Sequence, residues 1–314
     1  MDGLLGRIFV LSPEEASFRR RGFAGGTDAA RARLEAVGRT FLTGYNEALA
    51  ARGSAALERR LGAVPAVDRS FAYEGAAMAH TLLDLLTPWR RARLAELLAG
   101  PGRDHAYMVH VGAGWALARL GRGEGHLPRG LDPLLRWLAF DGYGFHEGYF
   151  HPGVALRARL RPRRLAGYAL RAFDQGLGRS LWFVESANIE RVATVVAEFP
   201  IDRHGDLWSG VGLAAAYAGG VEECELSLLR VLAGAYTPHL AQGAAFAAKA
   251  RERAGSPAAH TDRACRIFCG SSAKIAAEGT DAALKGLRGD AGLPDYEIWR
   301  RRIRDRYSSE AAVH

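Results

Sequence analysis

Lysine is nearly absent. Only Lys249, Lys274 and Lys285 stand among the 42 basic residues of this 314-residue chain, so its formal charge of +8 is carried by arginine. A nucleic-acid binder of that charge should show a basic stripe interleaved with stacking aromatics. None is present: Arg19-Arg20-Arg21 and Arg161-Pro162-Arg163-Arg164 read as solvated or dipole-pairing turns, which argues against nucleic acid as a partner. Cysteine is as sparse. Cys224, Cys265 and Cys269 exclude a disulfide scaffold and fit a reducing cytoplasm. Cys265 and Cys269 share a helical face but have Ser272 where an iron–sulfur site needs a third thiol, so they read as small buried hydrophobes. Long hydrophobic runs are missing too. The most apolar stretch, Leu207 to Val221, falls short of the roughly 18 residues a spanning helix needs. Met1 to Glu15 has no signal-peptide core. Gly270-Ser271-Ser272-Ala273-Lys274 lacks the spacing of a phosphate loop, and no Ser, His and acid arrangement suggests nucleophilic catalysis.

What is present is helix. With 48% hydrophobic and 24% charged residues the composition is that of a globular protein. Apolar residues recur at three-to-four spacing over 30–50, 72–86, 90–98, 109–120 and 133–140, then over 191–199, 210–218, 222–232, 240–253 and 262–279. No period-two alternation competes with them, and the expected fold is all-α.

The two sets run in the same order, and short matches join them. Gly38-Arg39 returns as Gly178-Arg179, Glu74-Gly75 as Ser209-Gly210, Leu98-Ala99-Gly100 as Leu232-Ala233-Gly234, His105 as His239, and Asp132 as Asp262, at offsets of 130–140 residues. This predicts an internal duplication with two pseudo-symmetric halves, residues 1–155 and 156–314, packed as one unit, in which about 18–151 superposes on about 162–285. The small-residue runs Glu74–Ala79 and Gly210–Ala216 would pack tightly at the seam or form a flat wall for a thin ligand.

Chemistry concentrates in the first half. Trp137, Phe140, Tyr143, Phe145, Tyr149 and Phe150 place six aromatics in fourteen residues, interleaved with Gly142, Gly144 and Gly148. This reads as a glycine-broken aromatic loop, Phe140 to Pro152, on the wall of a pocket. His146, Glu147, Tyr149 and His151 are its candidate catalytic groups, by proton transfer. The zinc-protease motif is excluded, because His146 and His151 are five apart, about 140° round an α-helix. His105 and His110 share that spacing and would face one way only across a π-bulge. Two readings stay open for His105, His110, His146 and His151: convergence on haem or non-haem iron, or hydrogen bonds between packed helices. Tyr107, Trp115, Tyr143, Phe145 and Phe150, with His105 and His110, are the candidate ligand-binding residues. The second half replaces this segment with small and charged helix formers, which marks the first half as the functional one.

The runs F-A-Y-E-G-A-A-M-A, H-A-Y-M-V-H-V-G-A-G-W-A-L-A-R, D-G-Y-G-F-H-E-G-Y-F-H, G-L-G-R-S-L-W-F-V-E and D-L-W-S-G-V-G-L-A-A-A-Y-A-G-G resemble the domain-of-unknown-function 1702 family over nearly the whole chain. That family is found with the polyketide synthases that build enediyne antibiotics. The resemblance implies cytoplasmic work on a linear, hydrophobic polyene that becomes the enediyne core, alongside other proteins of the same gene cassette. It supplies no catalytic residues. Three roles follow as expectations: a polyene-modifying, oxidative enzyme; a non-catalytic polyene chaperone or scaffold; and a self-resistance or nucleic-acid-binding protein.

Overall fold

The computed structural model describes residues 9–51, 53–87, 89, 92–287 and 292–310, and among them the fold is all helix, with no sheet. The fifteen α-helices are α1 (Phe18–Arg21), α2 (Asp28–Ala50), α3 (Ser54–Gly62), α4 (Ala66–Leu86), α5 (Arg93–Ala99), α6 (Ala106–Arg119), α7 (Leu138–Phe150), α8 (Tyr168–Val184), α9 (Ile189–Ala197), α10 (Ile201–Ala218), α11 (Glu223–Ala233), α12 (Thr237–Arg253), α13 (Ala259–Cys269), α14 (Ala273–Leu284) and α15 (Asp295–Glu310). Among the described residues no helix is long and apolar enough to cross a membrane. Part of the expected 90–98 helix, Arg90 and Arg91, and most of the Met1 to Glu15 segment lie outside the described residues.

Three boundaries differ from the sequence reading, each for a local reason. The expected 262–279 helix is two helices, because Gly270 takes a left-handed backbone (φ 65°) that ends α13, and Ser272 caps α14 by accepting from the Ile275 amide. The expected break at Pro200 to Gly205 is instead the start of α10: Pro200 takes the extended N-cap position and the helix runs through Gly205. The segment 133–140 is only a lead-in, with a short 3₁₀ turn over Leu135–Trp137 feeding α7.

A further correction is the largest. The glycine-broken aromatic loop is α7, a regular helix, and α8, which carries Gly176 and Gly178, was not visible as a helix at all. Glycine costs a helix interior about 1 kcal/mol relative to alanine, and what offsets it here is contact. A methyl group on Gly144 of α7 would run into the carbonyl oxygen of Phe173 on α8, and one on Gly176 of α8 into the carbonyl of Asp141 on α7. The same reciprocal pairing joins Gly44 and Gly75 (α2 with α4), Gly114 and Gly142 (α6 with α7), Gly178 and Gly210 (α8 with α10), and Gly212 and Gly243 (α10 with α12). At α4 with α6, Gly112 pairs with Ala77. Backbones this close exchange dispersion and Cα–H···O contacts along their whole crossing.

Gly75, Gly112, Gly142, Gly176, Gly210 and Gly243 thus mark successive helices of one row at intervals of 37, 30, 34, 34 and 33 residues. Gly44 and Gly178 stand 134 residues apart, Gly75 and Gly210 stand 135 apart, and each pair does the same work at its crossing. Gly38, matched to Gly178 by sequence, does not: it faces Ala16. The row also curls. α2, α4, α6, α7, α8 and α10 pack in that order, and α10 returns to α2, where Arg33 donates to the Ala218 carbonyl (2.8 Å) and to Asp68 (2.8 Å). Six helices therefore form a closed ring, with α12 to α15 stacked outside α10.

Candidate functional site

Every helix of the ring turns side chains toward its middle, and together they line a narrow cavity. α2 gives Val37, Phe41 and Leu42; α4 gives Phe71, Glu74 and Met78; α6 gives Trp115. α7 gives Phe145, Tyr149 and Phe150; α8 gives Arg179 and Phe183; α10 gives Leu213, Ala214, Tyr217 and Ala218. Leu11, Glu15 and Ala16 cover one end, tied down where Asn46 exchanges hydrogen bonds with the Leu11 backbone (2.8 and 3.0 Å). The cavity they enclose is small, with a volume of about 50 Å³, and its side chains close it down to a narrow slit.

Its walls are aromatic. Trp115 is central, with Phe41 at 4.4 Å, Phe145 at 5.0 Å, Phe150 at 5.9 Å and Tyr149 at 6.4 Å between ring centroids. Phe145 and Tyr149 stack at 6.0 Å, and Phe183 closes on Phe145 edge-on at 5.2 Å. Arg21 lies over Phe150 at 4.2 Å, and burial pushes the Tyr149 hydroxyl up to about 12, so it is a neutral donor or acceptor.

One ionisable group in this wall is out of place in apolar surroundings. Glu74 is buried, accepts a hydrogen bond from Trp115 Nε1 (3.1 Å) and lies 3.9 Å from Arg179. Arg179 is committed elsewhere: it pairs with Asp141, whose other oxygen accepts from Gln175 (2.7 Å). Burial raises the Glu74 carboxyl to about 7; the distant Arg179 and Trp115 oppose this, and the Asp141 charge adds to it. A carboxyl that titrates near neutrality at the edge of an apolar cavity can give or take a proton.

Of the sequence-derived candidates, Trp115, Phe145, Tyr149 and Phe150 line the cavity. The others do not. Tyr143 packs on Phe173 (6.1 Å), and the Tyr107 ring lies under Arg253 (5.9 Å). The four histidines do not converge. His105 caps the start of α6, shares a hydrogen with Ser70 (2.8 Å) and stacks on Tyr73 (4.1 Å); burial lowers it to about 4. His110 bonds the Ala106 carbonyl through Nδ1 (2.7 Å) and accepts from the Asp132 amide through Nε2 (2.9 Å), with both ring nitrogens used within the protein. No π-bulge brings these two together, since α6 runs unbroken from Ala106 to Arg119. His239, matched to His105 by sequence alone, is likewise lowered to about 4 by burial.

His146, Glu147 and His151 form a group of their own on the outer side of α7. Glu147 Oε1 lies 3.0 Å from His146 Nδ1, and Oε2 lies 3.3 Å from His151 Nδ1. Their five-residue spacing diverges on a helix, but α7 stops at Phe150: His151 is the C-cap, with φ −127° and ψ 49°, and swings back over the last turn. A π-helical turn, Gly153–Arg157, follows. His146 packs against Phe150 (4.8 Å) and edge-on to Trp115 (5.9 Å), so the cavity wall stands between this group and the slit.

Sequence reasoning missed Glu74, Arg179, Phe41, Phe183 and Tyr217. Glu74 and Arg179 had a signal: each is the lone charge in an apolar helical run, Phe71–Ala79 and Leu177–Val184. The cavity also takes Arg179, Phe183, Leu213, Ala214, Tyr217 and Ala218 from beyond residue 156, so it belongs to both halves of the chain.

No curated protein and no solved structure matches the chain. A family model described as "Protein of unknown function (DUF1702)" matches residues 2–307, and the chain belongs to that family.

Proposed function

We propose that the ring cavity binds a linear, conjugated, apolar chain, and that the protein acts on a polyene polyketide intermediate during maturation of an enediyne core. The observation that carries this reading is the shape and lining of the slit: too narrow for a bulky ligand, walled by Trp115, Phe41, Phe145, Tyr149, Phe150 and Phe183. Flat rings on both sides match the π-face of a conjugated chain, and offset stacking adds to simple burial. The enediyne setting rests on the family resemblance of the five sequence runs. Glu74 takes the role first given to the histidines, as the proton donor or acceptor beside the bound chain.

The carrier reading, in which the protein shields a reactive polyene and passes it to partner enzymes of the cassette, is favoured by one observation. His146, Glu147 and His151 lie outside the slit, which leaves Glu74 and Arg179 as its charged groups beside the covering Glu15.

Diphenylhexatriene, a linear fluorescent polyene, tests the shared core of both readings. Phe145→Ala or Tyr149→Ala should weaken its binding about fivefold or more, the counterpart of about 1 kcal/mol, with helicity unchanged. Unaltered affinity in both variants would place the ligand elsewhere. A producer strain carrying Glu74→Gln then separates the readings: lost product supports catalysis, and normal product supports the carrier.

A further inference from the structure

We propose that His146, Glu147 and His151 form a binding site for a single divalent first-row transition metal ion, set at the C-terminal end of α7 on the outer side of the cavity wall. Among the described residues this is the one cluster of three His, Cys, Asp or Glu donors whose ligand atoms all lie within 4.8 Å of one another. Two of the three separations, 3.0 and 3.3 Å, already match the spacing of ligands held about 2.1 Å from a common ion. Glu147 offers one oxygen to each imidazole rather than both to one, so its carboxylate straddles the point on which the two Nδ1 atoms converge.

The donor set selects the ion. Two imidazoles and one carboxylate suit borderline cations such as iron(II), cobalt(II) or zinc, whereas magnesium and calcium prefer oxygen alone. Three protein donors leave coordination positions open, and exposure is graded to match. His146 is buried, Glu147 is intermediate, and the His151 side chain is 54% exposed, so the open positions face solvent. The fold builds this arrangement in a way a purely packed histidine pair would not need: the helix must end between Phe150 and His151 for residues five apart to meet. His146 is held by the rings of Phe150 and Trp115, which gives the site a rigid side and ties it to the cavity wall. The inference does not depend on what the cavity holds.

The test uses metal-free full-length protein, with any affinity tag removed, titrated with cobalt(II) alone. One cobalt per chain should bind, with weak visible d–d bands and two hyperfine-shifted exchangeable imidazole N–H proton resonances. Exposed Cys224 is the competing soft ligand, and a thiolate charge-transfer band that disappears in Cys224→Ser would assign binding to it and overturn the proposal. His151→Ala lies at an exposed helix end and should fold; it should weaken cobalt binding at least about tenfold and remove one shifted resonance. Glu147→Gln should do the same to affinity while keeping both imidazoles. Absence of saturable binding, or binding unchanged in both folded variants, would show that these three residues are only a hydrogen-bonded cluster.

Discussion

Two buried arginines organise this molecule, and their surroundings are opposite. Arg300, on α15, meets Asp206 (2.9 Å), Glu297 (3.1 Å), the Tyr168 hydroxyl (3.1 Å) and Gln242 (3.2 Å). Arg171 and Arg304 bind the same carboxylates from outside. Arg179, on α8, has one close carboxylate, Asp141, and a second, Glu74, held off at 3.9 Å. The glutamates register the difference. Burial alone would raise both, yet Arg300, Arg304, Arg171 and the Tyr168 hydroxyl drive Glu297 down to about 2, while Glu74 climbs to about 7. Burial does not decide the state of a buried acid; the number of committed partners does. The well-partnered cluster pins the C-terminal helix to α8 and α10. The under-partnered one faces the cavity, where an incomplete network is useful.

Breaking the first cluster should cost the most. Arg300→Met leaves Asp206 and Glu297 short of a central cation, and should lower unfolding free energy by about 3–5 kcal/mol in urea titrations. Arg179→Met should cost less, because Glu74 can become neutral and Asp141 keeps Gln175. If the two variants lose equal stability, the contrast between the clusters is wrong.

The pH response should differ in sign. A folded-state value near 7 for Glu74 lies above the 4.5 of an unfolded glutamate, so the folded chain holds more protons between those values. Stability from this residue is therefore complete below about 4.5 and falls as pH rises to 7, by about 3 kcal/mol. Glu297 does the reverse. Its folded value of about 2 lies below 4.5, so its contribution is present above 4.5 and is lost as pH falls toward 2. Glu74→Gln should flatten the neutral limb of a stability–pH profile, and Glu297→Gln the acid limb. Both limbs surviving in both variants would remove the assignment. The smallest effect sharpens the same point: Trp115→Phe deletes the hydrogen bond to Glu74 Oε1, so it should raise the Glu74 midpoint further, by about 0.5–1.5 kcal/mol in proton affinity, visible by carboxyl-specific infrared titration.

Helix periodicity was legible in the longer runs of alanine and leucine, as in α2, α4 and α12, while the short α3 and the charge-rich α15 were passed over. It failed at α7 and α8, where glycine was read as a breaker or hid the helix. A single residue type carries two opposite meanings, backbone freedom and backbone proximity, and only the neighbouring helix tells them apart. Phe145, Tyr149, Phe150 and Trp115 were legible as cavity residues because aromatic clustering is a local signal. Glu74 and Arg179 lie 105 residues apart in sequence, and their pairing depends on ring closure that no window on the chain displays. The meeting of His146 with His151 depended on where one helix stops, which is set by backbone dihedrals at a single position.

Closure of that ring joins residues 185 apart, Arg33 to the Ala218 carbonyl, and from outside the ring Arg251 on α12 reaches back to the Val67 carbonyl (3.0 Å). A ribosome-bound chain acquires its first five ring helices one after another, each docking on its predecessor through short-range crossings. The sixth, α10, arrives last. Until it emerges, the rings of Trp115, Phe145 and Phe183 line an open trough that faces water, and the entropy of bringing such distant ends together is still unmet. Newborn chains should therefore pass through a stage with a greasy, unsealed gutter, and a premature stop between the end of α8 and residue 201 should leave them there, as substrates for chaperones or for aggregation.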